Sequence, residues 1–266
     1  MTRDTYLTRS RVERLAATLT EREQAIVGSL GLVRMLTAHQ VERLHFTAGT
    51  ALGNARRCRR TLRHLTELRV VARVDRAIGG ARGGSGHFTY ALDVAGQRLL
   101  TRDSGRSPRR PASLHPFTLR HGIAVGEVYV RLVEAERRGK PELVEFVGEP
   151  RRSFAGRDGA PGILCPDAYV RVGVGPDEWV WFVEVDCGTE APVTLARKCD
   201  AHRHYWQAGR EIARQGIHPR VLWLAPSDRR LKELVDVVSR QPADAQPLFV
   251  VAPFDAAVRV LAGGTT

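Results

Sequence analysis

At 266 residues, 43% hydrophobic and 26% charged, the chain can bury the core of one large domain or two smaller ones, which excludes a disordered or fibrous protein. Its net charge of +12 comes from 41 Lys and Arg against 29 Asp and Glu, a clustered excess that suits an anionic partner, nucleic acid above all. No apolar run reaches the roughly 18 residues of a membrane span. The N-terminus lacks the apolar core of a signal peptide, and Cys58, Cys165, Cys187 and Cys199 form no C-x-x-C pair, so a reduced, cytoplasmic protein without membrane association is expected.

Residues 20–100 read as a winged helix-turn-helix. Thr20 with Glu23 three positions later is a capping box. It starts a helix that runs to about Leu30, with Ile26, Val27 and Leu30 on the buried face. Thr37 caps a short second helix through Val41 and Leu44. A third helix covers residues 50–68. Ala51, Ala55, Cys58, Leu62 and Leu65 recur on one face at the helical period, and Arg56, Arg59, Arg60 and Arg63 fall on the opposite face. Alternating runs at 70–74 and 87–92, separated by a glycine-rich turn at 79–86, predict a two-stranded wing, and residues 93–101 a closing helix. The third helix is then the recognition helix. Its four arginines are candidate DNA-binding residues, able to neutralise phosphates and to read guanine edges in the major groove. A basic face is also what a merely solvated helix shows, and many winged helices dock proteins. The arginine row opposite a clean apolar face, beside a basic wing, favours double-stranded DNA.

Residues 102–116 are rich in Pro, Ser and Arg and have no apolar period, the composition of a linker. The expected division is a winged-helix domain at 1–102, a linker at 103–116 and an α/β domain at 117–266. In the last, a helix at 121–138 stops at Gly139, a strand follows at 143–147 and a hairpin at 164–186. A helix at 192–214, a buried strand at 220–224, a helix at 227–239 and a strand at 248–251 complete it. Strands alternating with helices after the hairpin predict a mixed central sheet with helices on both faces, so the fold class is α/β, or α+β over the whole chain.

The hairpin carries the chemistry. Its first run begins at Pro166-Asp167 and its second, from Trp179, ends at Glu184-Val185-Asp186. Alternation puts Glu184 and Asp186 on one face. Closure in register brings Asp167 across from them, so three carboxylates meet at one end of the sheet, the oxygen-rich donor set that Mg²⁺ or Mn²⁺ takes. Glu184 lies inside the apolar run VWFVEVD, where an unpartnered charge is costly. Such mutually repelling acids should also take up a proton more readily when no metal is bound. Lys198, on the following helix, is placed to neutralise a phosphate or orient a water. Cys199, His202 and His204 match no standard zinc spacing, and His202 and His204 point away from each other on a helix. Tyr205 and Trp206 are expected to pack that helix onto the sheet.

Pro166-Asp167 followed by Glu184-x-Asp186 resembles the core of the PD-(D/E)xK nuclease superfamily. The wider pattern, EVDCGTE with Lys198 and Tyr205 after it, resembles the actinobacterial replication-relaxation family over most of the chain. The resemblance implies a restriction-endonuclease-like domain of core order αβββαβ, which the predicted elements match, and a part in plasmid or conjugative-element replication and transfer. It implies catalytic roles for Asp167, Glu184, Asp186 and Lys198, with Glu127 contributing from the first helix, and a metal held by Asp167, Glu184 and Asp186. One departure matters: the superfamily pattern has Lys two residues after the acid, and Asp186 stands there. The expectation is a Mg²⁺-dependent DNA endonuclease or nickase. The alternative is a non-catalytic DNA-binding scaffold, or a transcription or replication regulator, with a degenerate nuclease fold. The retained carboxylates favour the first and the displaced lysine the second. Partners are duplex DNA and other replication or transfer proteins, and a dimer is compatible with the sequence.

Overall fold

Helices in the N-terminal part begin where a threonine satisfies their free amides. A computed structural model describes residues 8–76, 88–100, 115–156 and 159–265. Thr8 caps α1 (Arg9–Thr18), and Thr20 caps α2 (Glu21–Val33) in the expected reciprocal box with Glu23. After β1 (Met35–Thr37), Thr37 caps α3 (Ala38–His45) in a second box, with Gln40. Thr50 caps α4 (Ala51–Glu67). β2 (Val71–Arg76) and β3 (Phe88–Leu92) pair antiparallel and β1 adds to the other edge of β3, giving the order β1-β3-β2. The glycine-rich turn between β2 and β3 lies outside the described residues. α5 (Val94–Leu100) closes on this sheet, and only glycine fits at position 96, where a Cβ would lie 2.2 Å from the Val70 carbonyl oxygen. α2, α3 and α4 with the β2–β3 pair are the three helices and two wing strands expected from the periodicity, while α1 and β1 come in addition to those expected.

Contacts divide the chain into Met1–Val130 and Arg131–Thr266. The division falls within α6 (Pro116–Arg137), whose first half is bound into the first unit. The reason is local. Gly122 leaves the room that the Met35 thioether occupies, since a Cβ there would lie 2.5 Å from its sulfur, and Gln40 Nε2 donates to the Ile123 carbonyl at 3.0 Å. The linker expected at 103–116 lies almost wholly outside the described residues.

The second unit continues with β4 (Glu142–Gly148), β5 (Arg152–Ala155), β6 (Pro161–Leu164), β7 (Ala168–Val174) and β8 (Asp177–Val185). Then come α7 (Pro192–Gln207), α8 (Arg210–Gln215), β9 (Arg220–Ala225), α9 (Asp228–Ser239), β10 (Phe249–Pro253) and α10 (Ala257–Leu261). One mixed sheet has the order β10-β9-β8-β7-β4, with β4, β7 and β8 antiparallel and β8, β9 and β10 parallel. β5 and β6 form a separate hairpin in a stretch whose short, glycine-broken runs give no strand signal of their own. The single helix expected at 192–214 is two, because Gly209 takes a left-handed φ of 64° that ends α7.

Alternation along the central strands sets the two faces. Tyr169, Phe182, Val221 and Trp223 pack against Leu195, Cys199 and Tyr205 of α7 and Leu234 and Val237 of α9. Val170, Val172, Trp181, Val183 and Leu222 are equally buried on the other face, where the Trp181 indole donates to the Leu261 carbonyl of α10 at 3.0 Å. Strands apolar on both faces are those of a sheet covered on both sides. Among the described residues no helix is long and apolar enough to cross a membrane.

Candidate functional site

Two features stand out, one in each unit. In the first, α4 buries Cys58, Leu62 and Leu65, while Arg56, Arg59, Arg60 and Arg63 are all exposed. Ala51 is exposed and Ala55 half-buried, so the apolar face is shorter than the periodicity implied, and Asn54 takes the buried place near its start. Arg57 turns back instead, donating to the Ala48 carbonyl and to Asn54 Oδ1, which fixes the turn that leads into α4. The remaining guanidinium groups project together from a helix whose start is capped.

In the second unit the hairpin closes as expected. Ala168 pairs with Val183, so Asp167, one residue earlier, lies across from Glu184. Asp167 Oδ2 accepts from the Val185 amide at 2.7 Å. Glu184 shares the face of Val180 and Phe182, the face covered by α7, and is 3% exposed. α7 meets it with two side chains four residues apart and so on one helical face. Lys198 Nζ lies 3.4 Å from Glu184 Oε2, and His202 Nε2 lies 2.8 Å from Glu184 Oε1.

Burial pushes the Glu184 carboxyl above the usual range and Asp167 adds to this, while His202 and Lys198 pull it back. Burial by itself lowers Lys198, but Glu184, Asp167 and Glu190 outweigh it and hold the amine above its ordinary value. Lys198 is thus held as an ammonium, with Glu184 at 3.4 Å and Glu190 at 3.0 Å. The neighbouring Cys199 thiol is pushed up to about 12, chiefly by burial, and is unreactive at neutral pH.

Asp186 does not join this group. Both of its oxygens are taken by Arg230 of α9, at 2.5 and 2.9 Å, and Oδ2 also accepts from the Gly188 amide at 3.0 Å. A strand face shared with Glu184 did bring Asp186 to the same end of the sheet, but there α9 rather than α7 faces it. Glu127 is held in the first unit, where Arg43 Nη1 donates to both of its oxygens at 2.9 Å and Gln40 Nε2 to one at 3.1 Å. The gathered set is therefore Asp167, Glu184 and Lys198, together with two residues given no role from the sequence, His202 and Glu190. The four-residue spacing of Lys198 and His202 was the available signal for the histidine. Tyr205 packs as expected, its hydroxyl donating at 2.6 Å to the fully buried Glu211.

Among the described residues, no three His, Cys, Asp or Glu side chains form a group able to hold a metal by themselves. Two carboxylates from adjacent strands nonetheless suit Mg²⁺, which keeps several waters and needs only one or two protein carboxylates.

No curated protein and no solved structure gives a match to the chain. The family model described as replication-relaxation matches residues 27–221, a span that takes in the α4 arginines as well as Asp167, Glu184 and Lys198. Its description points to replication and relaxation of DNA. With well over half of its length matched, the chain belongs to the replication-relaxation family.

Proposed function

We propose that the protein docks on duplex DNA through Arg56, Arg59, Arg60 and Arg63 and cuts or nicks its backbone at a site made by Asp167, Glu184 and Lys198. The DNA is that of a plasmid or conjugative element during replication or transfer. The observation that carries the reading is the lysine. Its usual place, two residues after the acid, is occupied by Asp186, and α7 delivers the Lys198 ammonium to within 3.4 Å of Glu184 instead. The strand order, three antiparallel strands followed by parallel ones, also fits the nuclease core that the sequence resembles.

Asp167 and Glu184 would hold a divalent cation, whose chemistry is to lower the pKa of a bound water and to neutralise phosphate charge. The chain's own part is electrostatic and positional. Lys198 offers a fixed positive charge to a phosphate oxygen that gains charge in the transition state. His202 orients Glu184, and the apolar packing of Phe182 and Leu195 keeps water from the base of the site.

The test is a supercoiled-plasmid nicking assay with Mn²⁺. Wild type nicks, while Glu184→Gln and Lys198→Ala each lose at least about a hundredfold in rate. The reading fails if wild type is inert or if Glu184→Gln nicks as well as wild type. One observation favours a second reading, a non-catalytic DNA scaffold that assembles with other replication proteins. Asp186 is closed off by Arg230, and both oxygens of Glu184 already have partners within the chain, Lys198 and His202. Unaltered DNA binding together with no nicking by wild type would select it.

A further inference from the structure

The turn between β8 and α7 places a second carboxylate on Lys198. Glu190 Oε1 lies 3.0 Å from Lys198 Nζ, closer than Glu184 Oε2 at 3.4 Å. The other oxygen, Oε2, is buried without a hydrogen-bond partner. The backbone that carries Glu190 is fixed at both ends of the turn. Arg230 Nη2 donates to the Glu190 carbonyl at 2.8 Å, and the same guanidinium clamps Asp186 at the turn's start. In between, Gly188 adopts a left-handed φ of 77°. The Asp186–Arg230 pair, which removes Asp186 from the acidic group, thereby sets Glu190 in place.

We propose that Glu190 is the positioning residue of Lys198, an inference that rests on the reading of the site given above. A lysine amine is a compact charge on a flexible stem. Left alone beside a buried carboxylate it would close onto Glu184 and occupy its Oε2. A second acceptor at 3.0 Å holds the ammonium back from Glu184, whose Oε2 stays 3.4 Å away and open to an incoming cation, while Lys198 remains at the sheet end for a phosphate. Asp186 cannot do this, because its oxygens face Arg230.

The experiment is a pair of double-mutant cycles on the full chain with Glu190→Gln, Lys198→Met and the double variant. In metal-free melts the two substitutions are coupled: the double variant loses less melting temperature than the sum of the singles. In Mn²⁺-dependent nicking at saturating DNA, Glu190→Gln lowers turnover about tenfold and raises the Mn²⁺ needed for half-maximal rate. Added to Lys198→Met it has no further effect. Additive melts overturn the pairing. Coupled melts with wild-type turnover in Glu190→Gln overturn the positioning role and leave only a structural ion pair. Failure of the site reading is distinct: wild type then neither nicks nor shifts its melting point with Mn²⁺, and the positioning role falls with it whatever the melts show.

Discussion

Glu184 and Asp186 sit two residues apart on one strand face, yet meet different fates because different helices cover them. α7 brings Lys198 and His202 to Glu184, and α9 brings Arg230 to Asp186. Glu184 has a raised carboxyl in the folded state, so its ionised form is disfavoured there. Its contribution to stability is full below the ordinary carboxylate pKa and is lost as pH rises through the raised folded value. Glu184→Gln should therefore lose less stability than wild type over that rise in metal-free buffer, and its melting point should no longer increase with Mn²⁺. His218 gives the opposite window. Both of its ring nitrogens are buried without a partner, and burial lowers its pKa from 6.5 to about 4, with Glu211 pulling the other way. The unfolded chain takes up that proton first, so stability falls as pH drops from 6.5 to about 4. In His218→Phe the acid-side fall in melting temperature should be shallower; an unchanged slope would remove His218 as its source.

At the scale of the element, α4 is the clearest case of sequence deciding structure. Its cap, its buried stripe of Cys58, Leu62 and Leu65, and its four exposed arginines are all local consequences of order along the chain. Replacing Arg56, Arg60 and Arg63 by Ala should leave far-UV circular dichroism unchanged, because the face is polar and exposed. It should weaken duplex binding and lower the salt slope by about 0.9 for each phosphate no longer neutralised. A triple variant that binds with wild-type affinity would instead make α4 a protein-docking face. The α3 cap is more deeply built, since Thr37 and Gln40 are both buried and bonded to each other's backbone amides. Thr37→Ala should cost about 1 kcal/mol in denaturant melts.

For the whole molecule, the proposed docking by arginines of the first unit and cutting at a site in the second would be separable steps. The arginine variant should need more DNA to reach half-maximal nicking but keep its rate at saturation. Glu184→Gln should do the reverse, binding DNA normally while losing turnover. If both variants lose binding and turnover together, the division of labour between the units is wrong.

The sequence alone determined what depends on neighbours along the chain. Threonine caps, the helical period of α4, the two strands of the wing and the pairing of β7 with β8 were all legible. So was the placement of Asp167 across from Glu184, because a tight turn fixes the register of its strands and alternation fixes their faces. Tertiary structure decided which charge meets which. Glu127 finds Arg43 across 84 positions, and Asp186 finds Arg230 across 44. Nothing in the local pattern around either acid names such a partner. A carboxylate reads the same in sequence whether a guanidinium, an ammonium or a metal ion will face it, and which one does so is fixed only when helices far apart in the chain pack over the strand end.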